Sequence, residues 1–393
     1  MSVDGLLEDM NNTDKDLFKP HENDWLKNKF EYYETIRNLD TLYYSKQYNM
    51  FVITDYNNVL HILKNPEIYG SIHGNLIIEN PDRFNNTLGA SDGAIHEEFK
   101  NSVKNSYSKN FGDFILNYVK PSVINELRTN TTLDITKLSI YIASLVTTKL
   151  LGFPEQEEKV VKVITHIQNN AAQCVKYNTN QKGYNKLLNI IGENMAKKVK
   201  PDKPGIYMEY VSDTKNRKTI ALFTGPTVSG AASLAGAIQF LVLDLFRNNK
   251  LNELIANKAL ISNAVQESLR YNASTGRFTR TANKTTVIKN TEVRANSRLV
   301  VCLDAASRDP QIFSNPNSFD LNRPSYPHLA FGHGVHACIA LYLSKIVLEF
   351  FLDSLLTVYG KYRVIDIENL QYTITQSGNN DMLANLVIEK YDS

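Results

Sequence analysis

The feature that most constrains this chain is the segment Phe331-Gly-His-Gly-Val-His-Ala-Cys338. It sits directly before an apolar stretch, residues 340–358, that reads as a long helix ending at Gly360. Gly332 and Gly334 let the backbone turn tightly and approach a flat ligand closely. Cys338 is then expected at a helix N-terminus, where backbone N–H groups and the helix dipole favour a thiolate. A thiolate so placed serves as a metal ligand or as a nucleophile. For a lone cysteine the plainer alternative is a buried thiol in a glycine-containing loop. The aromatic, the glycines and the histidine at these spacings argue against it.

Around this segment the chain reads as mostly helical with small sheets. Residues 42–44 and 50–54 predict two short strands around a polar turn, and Asp55 caps a helix to about Leu63 that Asn65-Pro66 ends. From Glu97 onward apolar residues recur at helical spacing through Ile115, Val119 and Val123, with breaks expected near Gly112 and Pro121. Further helices are expected over 138–151, 158–173, 184–195 and 230–246, and short strands within 285–301. With no repeat and no linker-like stretch, a single domain over 1–393 is expected.

Segment 331–338 resembles the cysteine loop of the cytochromes P450, haem-thiolate oxygenases with the pattern Phe-Gly-x-Gly-x-(His/Arg)-x-Cys-x-Gly. Ala340 stands where the last glycine is usual and keeps a small residue. Glu267-Ser-Leu-Arg270 is similar to the family's Glu-x-x-Arg helix motif, which alone reads equally well as a surface i,i+3 ion pair. Ser307-Arg-Asp-Pro310, followed by Phe313, Pro316, Phe319-Asp320 and Arg323, resembles the family's meander in order and spacing. The resemblance runs from the strand pair near Leu42 to the C-terminus. It implies a fold that is mainly α with small β-sheets (α+β), the cytochrome P450 fold. Haem b would lie between a long distal helix and the helix after the cysteine loop, with Cys338 as axial iron ligand. It also implies that Arg323 joins Glu267 and Arg270 in a buried salt-bridge network, structural rather than catalytic because a buried pair is costly unless fully satisfied.

For the haem propionates the resemblance points to Arg280, to His336 two residues before the cysteine, and to His96 and Lys100 at the family's His-x-x-x-Arg positions. Lysine there puts a point charge in place of a bidentate fork, and with Glu97, Glu98 and Lys104 nearby it reads also as an exposed polar face. Phe331 and Gly332 complete the expected cofactor contacts, and His333 is expected to be an ordinary loop residue. The distal helix departs from the family's Ala-Gly-x-(Asp/Glu)-Thr. Residues 224–228 and 229–233 both offer a placement, and counting forward to Arg247 and Glu267 favours the second. Gly230 then keeps the glycine, Ala232 replaces the acid and Ser233 replaces the alcohol. Alanine cannot relay a proton, whereas Ser233 retains a hydroxyl. Gly225-Pro226, Gly230 and Gly236 imply an irregular helix. Substrate-facing segments, by resemblance, are 69–86, 168–186, the distal helix near Ala231, 272–279 and 376–381. The amide-rich run from Gln168 suits a polar or peptide-like substrate, or simply faces solvent.

The implied activity is a monooxygenase of the oxidoreductase class, oxidising a small organic substrate such as a secondary metabolite with O2. Electrons would come from a separate ferredoxin- or flavodoxin-type donor with its reductase, since no reductase domain fits in 393 residues. Lys100, Lys104 and Lys345 would form part of its dock. The altered distal pair keeps rivals open: a peroxide-using enzyme, a coupling or rearrangement enzyme that inserts no oxygen, or a non-catalytic haem-binding partner of a biosynthetic carrier domain. The substrate is small and free, or tethered to a carrier. A zinc or cysteine-hydrolase reading of His336 and Cys338 is remote. With 43 basic and 41 acidic side chains, a net +2, the chain exerts no strong pull on nucleic acid or anionic lipid. Cys174, Cys302 and Cys338 are scattered and odd in number, which excludes a disulfide framework and fits a reducing compartment. No signal peptide is visible and the apolar stretches are interrupted by Asp244, Glu349 and Asp353, so a cytoplasmic protein without a membrane span is expected.

Overall fold

In a computed structural model of the chain, residues 16–78, 87–151, 161–162, 165, 229–324, 327–373 and 377–391 are described. The helices expected at 158–173 and 184–195, the run from Gln168, Cys174 and the segment 224–228 with Pro226 therefore lie outside, or almost wholly outside, the described residues.

Among the described residues the first elements are α1 (Asn23–Arg37), β1 (Tyr43–Ser45) and β2 (Met50–Ile53). Helix α2 (Tyr56–Lys64) follows, its N-terminus capped by the Asp55 carboxylate accepting from the Asn58 N–H. Next come β3 (Tyr69–Gly70), α3 (Gly93–Val103), α4 (Lys109–Thr129), β4 (Thr132–Asp134) and α5 (Ile135–Leu151). Beyond residue 228 lie α6 (Ala231–Arg247), α7 (Leu251–Ala256), α8 (Ile261–Tyr271), β5 (Arg277–Ala282), β6 (Thr286–Ile288), β7 (Thr291–Val293) and β8 (Arg298–Cys302). The chain closes with α9 (Leu303–Ala306), α10 (Leu341–Ser354), β9 (Tyr362–Ile365), β10 (Tyr372–Thr373), β11 (Met382–Leu383) and β12 (Val387–Lys390). The architecture is mainly helical with small sheets.

The expected breaks at Gly112 and Pro121 do not occur. Helix α4 runs through both, and the chain breaks instead at the 3-10 turn Lys104–Tyr107 ahead of it. Gly112 serves packing rather than a break: a Cβ there would stand 3.3 Å from Tyr342. Pro121 and Asn117, whose carbonyl loses its N–H partner, are both exposed, so the missing bond falls on the solvent side of the helix. The buried stripe Phe111, Ile115, Val119, Val123 and Leu127 keeps its four-residue spacing across the proline.

A five-stranded sheet in the order β1-β2-β8-β5-β3 is covered on both faces. Along β8, Leu299 and Val301 enter one apolar cluster with Ile53 and Ala282, while Val300 and Cys302 enter another with Met50, Val52 and Trp25. Burial on both sides explains why this strand reads as an unbroken apolar run. The largest cluster lies among the helices, where α6 packs against α5, α8 and β11. Fully buried Gln239 fixes that packing: its amide donates to Ser139 Oγ at 3.0 Å and accepts from the Leu383 N–H at 2.6 Å.

Candidate functional site

The loop 331–338 is closed on itself. The Cys338 N–H donates to the Phe331 carbonyl at 2.8 Å, the Gly332 N–H to Leu329 at 2.8 Å, and the Ala337 N–H to Gly334 at 3.1 Å. Gly332 and Gly334 take φ of +66° and +72°, the left-handed region that favours glycine. At Gly334 a side chain is excluded twice, because a Cβ would also stand 2.5 Å from the Leu63 carbonyl oxygen of α2. Helix α10 begins at Leu341 with Ala340 as its cap, so Cys338 precedes the first helical residue by three. Its thiol is accessible. Burial of its surroundings pushes the thiol pKa up, and the Ala340 N–H directed at the sulfur works against that. His333 is exposed.

Four polar side chains gather at this loop. On α3, buried His96 has Nε2 at 3.1 Å from the Val335 carbonyl and Nδ1 at 2.9 Å from that of Leu88. Lys100 Nζ donates to the same Val335 carbonyl at 3.0 Å. The rings of His96 and His336 lie 4.1 Å apart. His336 Nε2 reaches Asp92 Oδ1 at 2.9 Å. Burial pushes His336 down to about 4, with the hydrogen bond to Asp92 opposing and the charge of Arg280 adding to it. The contact is therefore a neutral N–H donating to a carboxylate rather than an ion pair. Burial alone would raise Asp92, but His336 and the Ser71 and Ile72 N–H groups hold it below the usual carboxylate range. Asp92 is absent from the sequence reading; it carries only the ordinary signal of a polar residue ahead of a helix.

Arg280 on β5 is 5% exposed, and among the described residues its guanidinium donates one hydrogen bond, to the neighbouring Thr279 carbonyl at 2.8 Å. Burial lowers its pKa to about 10, partly opposed by Asp92. Among the described residues this guanidinium forms no ion pair, so most of its donors are free for an anion. A haem requires an accessible soft axial ligand and cationic or N–H donors for its two propionates. An accessible Cys338 and a buried, largely unpaired Arg280 fit that group.

On α6 the helix starts from a π turn at Ser229 and Gly230, both exposed, with Ala232 buried in the core. Half-buried Ser233 contacts the Ser229 carbonyl and the Thr275 hydroxyl, each at 2.7 Å. Gly236 permits a close approach of α6 to Ser274 and to the Asp381 carbonyl, which a Cβ would overlap.

Two buried ionic groups frame these elements. Glu267 receives Arg270 through Nε and Nη2 at 2.8 and 2.7 Å, Arg323 Nε at 3.1 Å and the Asp320 N–H at 2.9 Å. Arg270 also donates to the carbonyls of Ser307, Pro316 and Ser318, so the network is satisfied. The second group went unread in the sequence. Lys29 Nζ lies 2.8 Å from Asp304 and 2.7 Å from Asp381, while Arg277 pairs with Asp381, Tyr33 and the Gly378 carbonyl. All four charged side chains are at most 1% exposed. No local signal marks this quartet, because its members lie up to 352 residues apart.

A family model described as Cytochrome P450 matches residues 251–360. The chain is 34% identical over 142 residues to the biotin biosynthesis cytochrome P450 of Bacillus subtilis (strain 168), a match spanning 36% of that relative's length. It is 22% identical over 396 residues to pulcherriminic acid synthase of the same organism, covering 92% of this chain and 95% of that one. Among solved structures it resembles P450BioI in complex with acyl carrier protein ligated to hexadec-9Z-enoic acid, with TM-score 0.81, 20% identity, and 94% and 100% of the two chains covered. It also resembles PksS, the cytochrome P450 of the bacillaene polyketide synthase of Bacillus subtilis 168, with TM-score 0.82, 18% identity, and 95% and 100% covered.

Proposed function

Because the chain belongs to the cytochrome P450 family, whose cofactor is haem b bound through a cysteine thiolate, we propose that it is a haem-thiolate monooxygenase. One domain over residues 1–393 would oxidise a small organic substrate with O2 and electrons from a separate ferredoxin- or flavodoxin-type donor. The observation that carries this reading is the accessible Cys338 thiol on a self-bonded glycine loop, with a buried Arg280 that forms no ion pair among the described residues and whose charge acts on His336 of the same loop.

Cys338 would bind iron as the thiolate and donate electron density to it, its sulfur supported by the Ala340 N–H. Arg280 would hold a propionate, as would His336 with the Nε2–H that it here gives to Asp92, while His96 and Lys100 would fix the loop that carries Cys338. Bound haem supplies O2 activation, the chemistry that side chains cannot perform. On α6, Ala232 can neither give nor take a proton, so Ser233 is the hydroxyl left to manage protons there. The substrate is a free small molecule or one tethered to a carrier, the latter supported by the likeness to P450BioI, whose structure holds a ligated acyl carrier protein. The absence of an acid at Ala232 favours one second reading, turnover driven by peroxide.

The test is reconstitution with a ferredoxin and its reductase under isotopically labelled O2, on free and carrier-bound acyl substrates. One labelled oxygen atom in the product supports the monooxygenase. Turnover with hydrogen peroxide but none with the reductase supports the second reading. Haem binding with no turnover under either condition overturns both and leaves a non-catalytic haem protein.

A further inference from the structure

Asp244 interrupts the buried apolar run of α6, between Leu243 and Leu245, and is itself 2% exposed. Among the described residues its carboxyl has two side-chain contacts, both with α8 and neither a cation. The Ser268 hydroxyl donates to Oδ2 at 3.1 Å, and Asn272 Nδ2 stands 3.5 Å from Oδ1, longer than a good hydrogen bond. Other buried carboxylates are better served. Asp304, Asp381 and Glu267 each meet a lysine or arginine at 2.8, 2.7 and 2.7 Å. Asp309 accepts the N–H groups of Tyr56 and Gln311 at 2.8 and 3.0 Å.

A nearby guanidinium does not replace the missing partner. Arg308 lies between the rings of Phe30 and Tyr271, 3.6 and 3.7 Å from their centroids, and donates to the Tyr271 carbonyl at 2.8 Å. Its charge therefore acts on Asp244 without contact. Arg247 on α6, Tyr362 on β9 and Tyr372 on β10 are the other titratable groups whose charges act with it. On α8, Glu267 and Arg270 are spent on each other, and on α10 Glu349 and Asp353 are engaged with Ser262 and Lys258. On α5, Lys137 pairs with Asp134. A buried carboxyl that touches no cation favours its neutral form. Burial, opposed first by the Arg308 charge and then by the Ser268 hydroxyl, lifts the group to about 7. An acceptor for the acid proton is at hand. Asn272 Oδ1 is buried with no partner, and a half-turn of the carboxamide brings it to Asp244.

We propose that Asp244 is a proton-operated tie between α6 and α8, which bonds Ser268 and Asn272 when protonated and leaves a poorly compensated charge between the helices when ionised. The inference is independent of the haem reading above. Asn272 ends α8, its N–H on the Ser268 carbonyl at 2.8 Å. It leads directly to Ser274 and Thr275, which meet α6 at Gly236 and Ser233. Loss of the proton thus loosens the junction from which this wall beside α6 departs. The folded value lies above the unfolded 3.8, so the contribution to stability is complete below 3.8 and is lost as pH rises through about 7.

Urea denaturation of the purified native protein and of Asp244→Asn across neutral pH tests this, because asparagine keeps the shape and never ionises. Contributions common to both proteins, that of any histidine included, cancel in the comparison. Below about 7 the native protein should lose stability relative to the variant as pH rises, by about tenfold in the unfolding equilibrium per pH unit, and the difference should level off above it. A difference that does not vary with pH overturns the proposal. So does a native protein that gains on the variant as pH rises, since the ionised form would then be the one that the fold prefers. Hydrogen exchange over residues 261–275, corrected for the pH dependence of free amides, should quicken on the alkaline side in the native protein and not in the variant. Equal changes in both overturn the tie. Should Asp244→Asn not fold, infrared spectroscopy of the native protein decides. Exposed carboxyl groups are ionised two units above their ordinary value, so the C=O band of a protonated buried acid should persist there and vanish on the alkaline side of 7. Absence of that band overturns the proposal.

Discussion

His96 and Lys100, one turn apart on α3, close on a single acceptor, the Val335 carbonyl oxygen, at 3.1 and 3.0 Å. The two are not equivalent. His96 is 5% exposed and also contacts the Leu88 carbonyl, whereas Lys100 is half exposed. A neutral imidazole donates only once, so Lys100 supplies Val335 when His96 serves Leu88. His96→Ala should destabilise the fold by roughly 1–3 kcal/mol, because buried acceptors lose their donor. Lys100→Ala should stay within about 0.5 kcal/mol. Urea denaturation of both variants checks the order.

Glu267 is the hub of a satisfied buried network, so removing it should cost more than removing any surface pair. Glu267→Ala leaves Arg270 and Arg323 without their shared carboxylate and should destabilise the protein by about 3–5 kcal/mol. The same variant should yield less haem-loaded protein on expression, read from the ratio of Soret to protein absorbance.

Gly334 tests the loop geometry. Alanine there must hold φ near +72° and place its Cβ 2.5 Å from the Leu63 carbonyl. A non-glycine residue in this region costs about 1–3 kcal/mol before any clash. Gly334→Ala should lower the melting temperature and weaken haem retention, while Gly360→Ala, with φ +85° but nothing within 4 Å, should lower stability alone.

Acid should unfold the protein partly through His328. Its Nε2–H donates to Gln266 at 3.0 Å and its Nδ1 accepts from the Ala330 N–H at 3.3 Å, a neutral tautomer. Burial, aided by the charges of Lys345 and Arg270, pushes its pKa down to about 4 from an unfolded 6.5. Above pH 6.5 neither state binds this proton and the stability is complete. Between 6.5 and 4 only the unfolded chain is protonated, so stability falls with pH, by on the order of 3 kcal/mol in total. His328→Gln should flatten the stability-against-pH slope in that window; an unchanged slope would contradict the assignment.

Elements with local signals were legible in the sequence. The Asp55 cap, the glycine loop before α10 and the strands within 285–301 depend on neighbours in the chain, and each lies within a residue or two of its expected place. Pro121 misled because its cost depends on whether the orphaned carbonyl meets water, which is a property of the packed helix. The partners of Glu267 were legible through a family pattern, whereas the quartet Lys29, Arg277, Asp304 and Asp381 matches no pattern and is assembled only by the fold. Asp92 and the contacts of Thr275 and Asn380 were invisible for the same reason: chemistry shared across distant segments leaves no spacing to read.

The central claim is that Cys338 is the thiolate ligand of a haem. The most direct measurement is the absorption spectrum of the reduced protein under carbon monoxide, for the native chain and Cys338→Ala. The account predicts a strongly red-shifted Soret band in the native protein that is lost in the variant. An unshifted band in the native protein, or an identical red-shifted band in both, would contradict it.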